Sequence, residues 1–162
     1  MFLRFRELLF ATTFALACLS DSAQAHEYKA GSLTVGHPWV RTVLGSEVGA
    51  GYLTITNTGS MPDRLAGRTL TGTARAEVHA TSTEGSIARM RAVEGGLEIK
   101  PCLTVKLAPG GYHLMVMDLK GLFVGSELLE GTLQFQRAGT VPVEFEVQPV
   151  GAKTLADHTH KH

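Results

Sequence analysis

Cysteine is nearly absent from this sequence, which has two cysteines among its 162 residues, Cys18 and Cys102. Cys18 lies in an N-terminal segment that we expect to be removed, so Cys102 would be the only remaining thiol and no disulfide could form within the chain. The domain must then be stabilised by its own hydrophobic core, and the chain is long enough for one domain with such a core. In an oxidising compartment a lone thiol invites metal binding or oxidation, although a buried cysteine often serves only as a small hydrophobic residue.

The sequence also has no excess of charge of either sign, because its 15 basic residues are balanced by 15 acidic ones. No long-range field therefore favours nucleic acid or an anionic membrane surface as a partner. Aromatic residues are sparse, at 7%, and the sequence contains no long amphipathic helix and no internal repeat. Frequent glycine between short apolar runs favours an all-β domain over a helical bundle.

The first 25 residues have the pattern of an export signal. Arg4 and Arg6 supply a basic start, an apolar run follows from 8 to 19, and Ala23-Gln24-Ala25 resembles a cleavage site of small residues. The apolar run is too short for an ordinary membrane-spanning helix. We therefore expect export to the periplasm, cleavage after Ala25 and a mature form without a membrane span.

Lipidation at Cys18 is the alternative to cleavage after Ala25. The cysteine follows Ala15-Leu16-Ala17, which has alanine where a lipoprotein signal more normally has leucine. We therefore favour cleavage, which leaves His26 as the first residue of a single domain that spans residues 26–150.

Short alternating segments separated by turn signals predict about eight strands, the pattern of a Greek-key sandwich or barrel. Nine segments are candidates for them, at residues 32–35, 49–57, 63–71, 76–80, 86–91, 103–107, 112–117, 128–136 and 141–147. The last segment is the clearest, because its apolar residues alternate with Glu144 and Glu146. Residues 86–91 are also compatible with a short helix. Residues 81–85 are predicted to be a polar loop, and Gly36-His37-Pro38-Trp39 a turn with Trp39 as a core anchor.

The C-terminal residues 151–162 differ from the domain, because they have little to bury and carry His158, His160 and His162 at every second position. Short histidine-rich tracts bind divalent metals. An engineered tag is the alternative, but a tag would usually have contiguous histidines. We expect a flexible metal-collecting tail.

The segment Tyr112 to Met117 is unusual for a simple core strand. Alternate side chains point to opposite faces, so His113, Met115 and Met117 share one face while Leu114 and Val116 share the other. Thioether sulfur combined with imidazole nitrogen favours Cu(I) over hard cations. Packing is the alternative, because methionine often fills gaps in a core.

Two further soft donors precede this strand. His79 and Met90 are separated by ten residues, and twenty-two more residues lead to His113-x-Met115. Each member lies on or beside a predicted strand and near a loop. Because loops at one end of a β-sandwich converge, we expect the four side chains to meet there.

Several further segments share a pattern with one family, and together they cover nearly all of the mature chain. They are Gly36–Trp39, Tyr52–Gly59, Pro62–Leu65, Val78-His79, Met90-Arg91, Val93–Ile99 and Pro109–Met115. The sequence resembles the PCuAC-type periplasmic copper chaperones in these segments. The resemblance implies a cupredoxin-like β-barrel that carries copper outside the cytoplasm toward the copper centre of cytochrome c oxidase.

The resemblance also implies that His79, Met90, His113 and Met115 are the Cu(I) ligands. Met117 is expected to pack beneath the metal. Family members often carry one auxiliary methionine soon after the first histidine and another just before the central methionine. This sequence has neither, because residues 81–85 contain no methionine and Ala88 stands where the other would be. A further contribution from Cys102 is an alternative that nothing in the spacing requires.

The His-rich tail has the nitrogen donors that Cu(II) prefers. His158, His160 and His162, with His26 and its free α-amine after cleavage, are therefore candidate secondary Cu(II) ligands.

The leading interpretation is thus a monomeric copper carrier and not an enzyme, with an oxidase subunit or another assembly chaperone as the copper acceptor. A periplasmic protein for copper storage or tolerance is the alternative. An electron-transfer cupredoxin would need a cysteine thiolate beside two histidines. A purely structural β-sandwich would leave the His/Met set without a role.

Overall fold

The structure is a computed structural model that describes residues 27–43, 45–120 and 127–149. The regular elements of this part are all strands, which confirms the all-β prediction. They are β1 (Glu27–Ala30), β2 (Leu33–Thr42), β3 (Val48–Asn57), β4 (Asp63–Leu70), β5 (Arg75–Glu84), β6 (Ile87–Ala92), β7 (Leu97–Ile99), β8 (Thr104–Leu107), β9 (Tyr112–Met117), β10 (Leu128–Phe135) and β11 (Gly139–Pro149). The expected signal segment, His26 and the tail 151–162 lie outside the described residues. Within the described ranges, no helix has the length and apolar character needed to cross a membrane.

The strands form one sheet in the order β6-β5-β9-β8-β3-β2-β11-β10-β4-β7, with β1 paired to β2 and β9 also paired to β3. The sheet curls until strands near its two edges approach each other. Arg68 on β4 donates a hydrogen bond from Nε to the carbonyl oxygen of Ala76 on β5, at 2.9 Å, although the two strands are not hydrogen-bonded neighbours. The concave side of this curled sheet encloses the hydrophobic core.

The core follows from the alternation of the strands. On β11, Val141, Val143, Phe145 and Val147 are buried while Glu144 and Glu146 are exposed, as predicted. On β9, Leu114 and Val116 are fully buried, so the opposite face of that strand is directed away from the core. The largest fully buried side chains of the described residues are Phe145, Leu33, Leu53, Ile55, Leu65, Ile99, Leu114 and Leu133.

The sheet has more strands than the sequence predicted. β1 and β7 have four and three residues, and neither is long enough to show alternation. β5 also continues to Glu84, where a polar loop was predicted at residues 81–85. The loop prediction was wrong because this segment pairs with β6 while its polar side chains stay in solvent. A strand that is paired but not buried has no apolar alternation by which the sequence could reveal it.

The predicted turn at Gly36 to Trp39 is an irregularity within β2 and does not end the strand. The register with β3 shifts there, and His37 adopts a φ of 50°, as one residue of a β-bulge often does. Trp39 is half-buried and stacks on Tyr52 with ring centroids 4.3 Å apart, so its assignment as a core anchor was wrong. The register shift reverses the alternation of β2, so that Pro38 and Val40 are buried and the indole of Trp39 lies on the outer surface of the sheet.

One buried carboxylate ties a loop to the sheet. Asp63, at the start of β4, accepts hydrogen bonds from the backbone N–H groups of Arg64, Arg137 and Ala138 at 2.7, 2.9 and 2.9 Å. The turn between β10 and β11 is thereby held against β4.

Candidate metal centre

His113 and His79 lie directly opposite each other on the neighbouring antiparallel strands β9 and β5. Directly paired residues point to the same face of a sheet, so both imidazoles stand on the outer face of β9. Their ring centroids are 6.0 Å apart and their planes are inclined by 48°. The structure therefore brings together two of the predicted ligands, which are 34 residues apart in the sequence.

The orientation of His113 is set by the turn that precedes β9. Gly110 has a φ of 82°, a left-handed conformation that glycine adopts at little cost, and the chain enters β9 two residues later. His113 is only 5% exposed, and its Nδ1 lies 3.2 Å from the carbonyl oxygen of Gly111. A carbonyl only accepts, so Nδ1 carries the proton and the lone pair of a neutral His113 is on Nε2.

The orientation of His79 is set by a carboxylate on its own strand. The Nε2 atom of His79 lies 3.1 Å from Oε2 of Glu77, and Oε1 of Glu77 lies 3.3 Å from Nε of Arg75. The hydrogen bond from His79 lowers the pKa of the Glu77 carboxyl, and this outweighs the opposing effect of desolvation. The nearby positive charge of Arg75 lowers the pKa further. Glu77 is therefore a stable anion beside the first predicted ligand.

Met115 completes a compact set with the two histidines. It follows His113 on the same face of β9, is half-buried, and lies between Glu77 on β5 and Ala50 on β3. Residues that are diagonal across a strand pair are typically about 7–8 Å apart, and Met115 stands in that relation to His79. A flexible thioether can span such a distance.

Met90 lies on the other side of His79. It is on β6, the outermost strand, directly opposite Thr81, so it shares the face of His79 and is diagonal to it. Its side chain is 59% exposed. Two strand spacings, about 10 Å, separate β6 from β9, so Met90 is the peripheral member of the set.

The sequence led us to expect that the four side chains meet where loops converge. The structure does not show this arrangement. They lie within strands, and cross-strand register places them on one face, in the order Met90, His79, then His113 with Met115. The sequence could not predict this arrangement because it depends on β5 being the neighbour of β9, although β6, β7 and β8 lie between them in the chain.

Met117 also lies on this face, but its sulfur is already engaged. Nη2 of Arg75 lies 3.3 Å from Sδ of Met117, directly across the β5–β9 pair. A guanidinium at this position repels a metal cation. The arrangement agrees with a packing role for Met117.

Cys102 lies far from these side chains. It is exposed, and its Sγ is 3.7 Å from the carbonyl oxygen of Gly59, just beyond the end of β3. Met115 is paired with Ala50 near the start of the same strand. The strand residues between these points span about 20 Å. The structure therefore does not bring Cys102 into the shell of a metal at His79 and His113.

Of the five other histidines, one lies within the described residues. His37 is exposed at the bulge of β2, while His26, His158, His160 and His162 lie outside the described residues. Within residues 27–43, 45–120 and 127–149, no group of three or more His, Cys, Asp and Glu side chains is arranged to hold a metal ion.

Sequence reasoning missed Glu77 and Arg75. The signal was present, because residues 75, 77 and 79 alternate on one strand face, and a carboxylate two residues from a candidate ligand histidine is a typical supporting group. The strand was predicted to begin at residue 76, so Arg75 was placed outside it.

The comparisons with known proteins agree on one family. Residues 33–147 match the family model described as "Putative lipoprotein LpqE-like". The curated protein "Putative lipoprotein Lxx21020" from Leifsonia xyli subsp. xyli (strain CTCB07) is 30% identical over 141 residues, which are 87% of this chain and 84% of that protein.

Solved structures give the same result. The copper-bound PCuAC domain from PmoF2 is similar with a TM-score of 0.66 at 28% identity, over 76% of this chain and 98% of that one. The Cu(I) form of DR1885 from Deinococcus radiodurans has a TM-score of 0.59 at 27% identity, over 82% of this chain and 85% of that one. These likenesses confirm the predicted cupredoxin-like fold.

Proposed function

The chain belongs to the LpqE-like family of PCuAC-type proteins, and on that premise we propose that it is a copper carrier. It binds Cu(I) through His79, His113, Met115 and Met90. The observation that carries this proposal is the pairing of His79 with His113 on one sheet face, with a methionine diagonal to His79 on either side. The relatives whose solved structures contain copper support the choice of metal.

The donor set suits a carried ion. Two thioethers and two neutral imidazoles are soft enough for Cu(I) and add no charge of their own. In zinc proteins, catalytic sites keep an open coordination position while structural sites are closed. By the same reasoning, four protein donors leave no position for a substrate, which favours carriage over catalysis. The exposed Met90 is the donor that an acceptor can replace first.

An electron-transfer cupredoxin would require a thiolate ligand, and Cys102 lies about 20 Å along β3 from Met115. The carrier proposal therefore predicts that the copper-loaded, oxidised protein lacks an intense visible thiolate-to-copper band. A strong blue absorption that disappears in Cys102→Ser would contradict it.

The ligands are tested by titration of Cu(I) against a competing chelator. Wild-type protein is expected to bind one Cu(I) per domain, and His113→Ala and Met115→Ala are expected to lose this binding. Met61→Leu is the control, because it removes a thioether that lies beyond the end of β3 and outside the proposed ligand set. Wild-type affinity in both His113→Ala and Met115→Ala would reject the assignment.

We propose the copper centre of cytochrome c oxidase as the destination. A strain that lacks the protein is then expected to assemble oxidase with less copper, while its tolerance to copper is unchanged. The His113→Ala variant is expected not to restore the copper content of the oxidase. A strain that has normal oxidase but is sensitive to copper would instead identify a storage or tolerance protein.

We also propose that the protein works in the periplasm after cleavage following Ala25, and that His26, His158, His160 and His162 bind Cu(II). Mass spectrometry of the exported protein, with and without copper, tests both points. Cleavage predicts a mass that begins at His26, whereas a lipidated mass that begins at Cys18 would contradict it. A form that ends at Val150 is expected to keep one Cu(I) and to bind less Cu(II), because it retains only His26 of the four, and unchanged Cu(II) binding would exclude the tail.

A further inference from the structure

Glu77 lies beside the proposed copper site, and nothing in the ligand assignment gives it a role. We infer that Glu77 is a positioning residue that fixes the tautomer of His79, so that Cu(I) is bound by Nδ1 of His79 and by Nε2 of His113. The inference rests on the proposed function, because it concerns how the same metal is held. It concerns the apo protein as well, where it can be tested without copper.

The first step is the hydrogen bond between Glu77 and His79. Oε2 of Glu77 lies 3.1 Å from Nε2 of His79, on the same face of β5. An ionised carboxylate only accepts, so Nε2 must carry the proton and the free lone pair of neutral His79 is on Nδ1. A hydrogen bond from the distal nitrogen to a carboxylate also makes an imidazole a better metal donor.

The second step is that Glu77 is itself held in place. Its other oxygen, Oε1, lies 3.3 Å from Nε of Arg75, and Nη2 of Arg75 lies 3.3 Å from Sδ of Met117. Arg75, Glu77 and His79 thus form a line along one strand face. With Oε1 directed to Arg75, Oε2 is left for His79.

The third step is that His113 has the opposite tautomer. Its Nδ1 donates to the carbonyl oxygen of Gly111 at 3.2 Å, which leaves Nε2 as the donor to a metal. The two imidazoles face each other across a strand pair, yet they present different nitrogens. Nδ1 lies closer to its own backbone than Nε2 does.

Because the two histidines present different nitrogens, the position of the metal relative to the strands can be inferred. Coordination by the short Nδ1 arm of His79 and the long Nε2 arm of His113 places Cu(I) above β5 and not midway between β5 and β9. β5 is the strand between β6 and β9, so this position shortens the span that Met90 must cross. The tautomer of His79 thereby explains how the peripheral Met90 joins the same ion as Met115.

The alternative is that Arg75 and Glu77 are only a solvated surface ion pair, since the Arg75 side chain is 63% exposed. A surface pair of this kind contributes little to stability and would leave the tautomer of His79 free. The two interpretations predict different nitrogen spectra for the same protein.

The test is 15N nuclear magnetic resonance of the labelled full chain, first without metal and then with Cu(I). Apo protein is expected to show the proton on Nε2 of His79 and on Nδ1 of His113. Cu(I) is expected to shift Nδ1 of His79 and Nε2 of His113. Coordination by Nε2 of His79, or an apo His79 with its proton on Nδ1, would overturn the inference.

Three variants separate positioning from folding. Glu77→Ala is expected to lose the fixed tautomer and to lower Cu(I) affinity by about 10-fold to 100-fold. Glu77→Gln keeps an acceptor oxygen and is expected to retain the tautomer, with a loss of less than about 10-fold. Glu98→Ala, an exposed carboxylate on β7, is the control and is expected to match wild type.

The outcomes also separate this inference from the proposed function. If wild-type protein binds no Cu(I), the proposed function is rejected, and the apo spectra still decide whether Glu77 fixes the tautomer. If wild-type protein binds Cu(I) but Glu77→Ala keeps both its affinity and its His79 tautomer, only the inference is rejected. Should Glu77→Ala fail to fold, the wild-type and Glu77→Gln spectra decide.

Discussion

At the scale of single residues, Asp63 shows how a charged group can be kept in the protein interior. Each of its carboxylate oxygens accepts at least one backbone N–H, and the three donors come from two separate parts of the chain. Hydrogen bonds to a charged group are stronger than those between neutral partners. Asp63 therefore fixes the turn between β10 and β11 through backbone donors, and it forms no ion pair within the described part of the chain.

Asp63→Asn is expected to destabilise the fold by about 2 kcal/mol, because the amide nitrogen that replaces Oδ2 faces the N–H of Ala138 and leaves it unpaired. Urea denaturation monitored by circular dichroism measures the free energy of unfolding. Asp118→Asn is the matched control, since Asp118 is exposed and its φ of 54° is one that asparagine also adopts readily. Equal stability of the two variants would contradict the role of Asp63.

At the scale of elements, β6 is the least firmly held of the strands that carry the proposed copper ligands. All six of its residues are exposed, it is hydrogen-bonded to β5 alone, and it carries Met90. Such a strand opens locally at little cost in free energy. A metal bound by Met90 and by His113 would connect β6 to the well-buried β9.

Cu(I) is therefore expected to slow amide hydrogen exchange in residues 87–92 of the wild-type protein. A slowing of about tenfold corresponds to about 1.4 kcal/mol of added local stability. In Met90→Leu the added protection should be confined to β5 and β9, because leucine keeps the volume of the side chain but provides no sulfur. Equal protection of residues 87–92 in both proteins would show that Met90 does not bind the ion.

The same elements show what the sequence could and could not predict. Period-two alternation predicted that His113 and Met115 share one face of β9 and that Leu114 and Val116 share the other, and the burial of Leu114 and Val116 agrees with this. It did not reveal β1 and β7, because three or four residues are too few to establish a period. It also did not reveal the pairing of β5 with β9, because register between strands that are distant in the chain depends on the whole sheet and not on local pattern.

At the scale of the whole molecule, the strands that the structure describes do not close into a hydrogen-bonded barrel, and β6 and β7 are the two ends of the strand order. Exposed edges are sites where two copies can join, and charged side chains on an edge strand oppose this. β6 carries Arg89 and Arg91, and antiparallel pairing of two β6 strands centred on Met90 would place these arginines opposite each other.

Removal of this charge is expected to cause self-association. The double variant Arg89→Val with Arg91→Val should form dimers and larger species in a concentration-dependent manner by sedimentation velocity, while wild type stays monomeric. Arg41→Val with Glu146→Val is the control, because both residues have hydrogen-bonded neighbours on either side, on β3 and β11 and on β2 and β10 respectively. Association of the control to the same extent would show that surface hydrophobicity, and not the edge, is responsible.

The distance between Cys102 and the proposed copper face has a practical consequence. In a form of the protein that begins at His26, Cys102 is the sole thiol of the sequence, and it is exposed. A bead, an electrode or a fluorophore attached there through a maleimide would lie about 20 Å along β3 from the level of Met115 and leave His79 and His113 uncovered. Every immobilised molecule would then present the same side to an acceptor, so a single metal handover could be timed on an oriented monolayer.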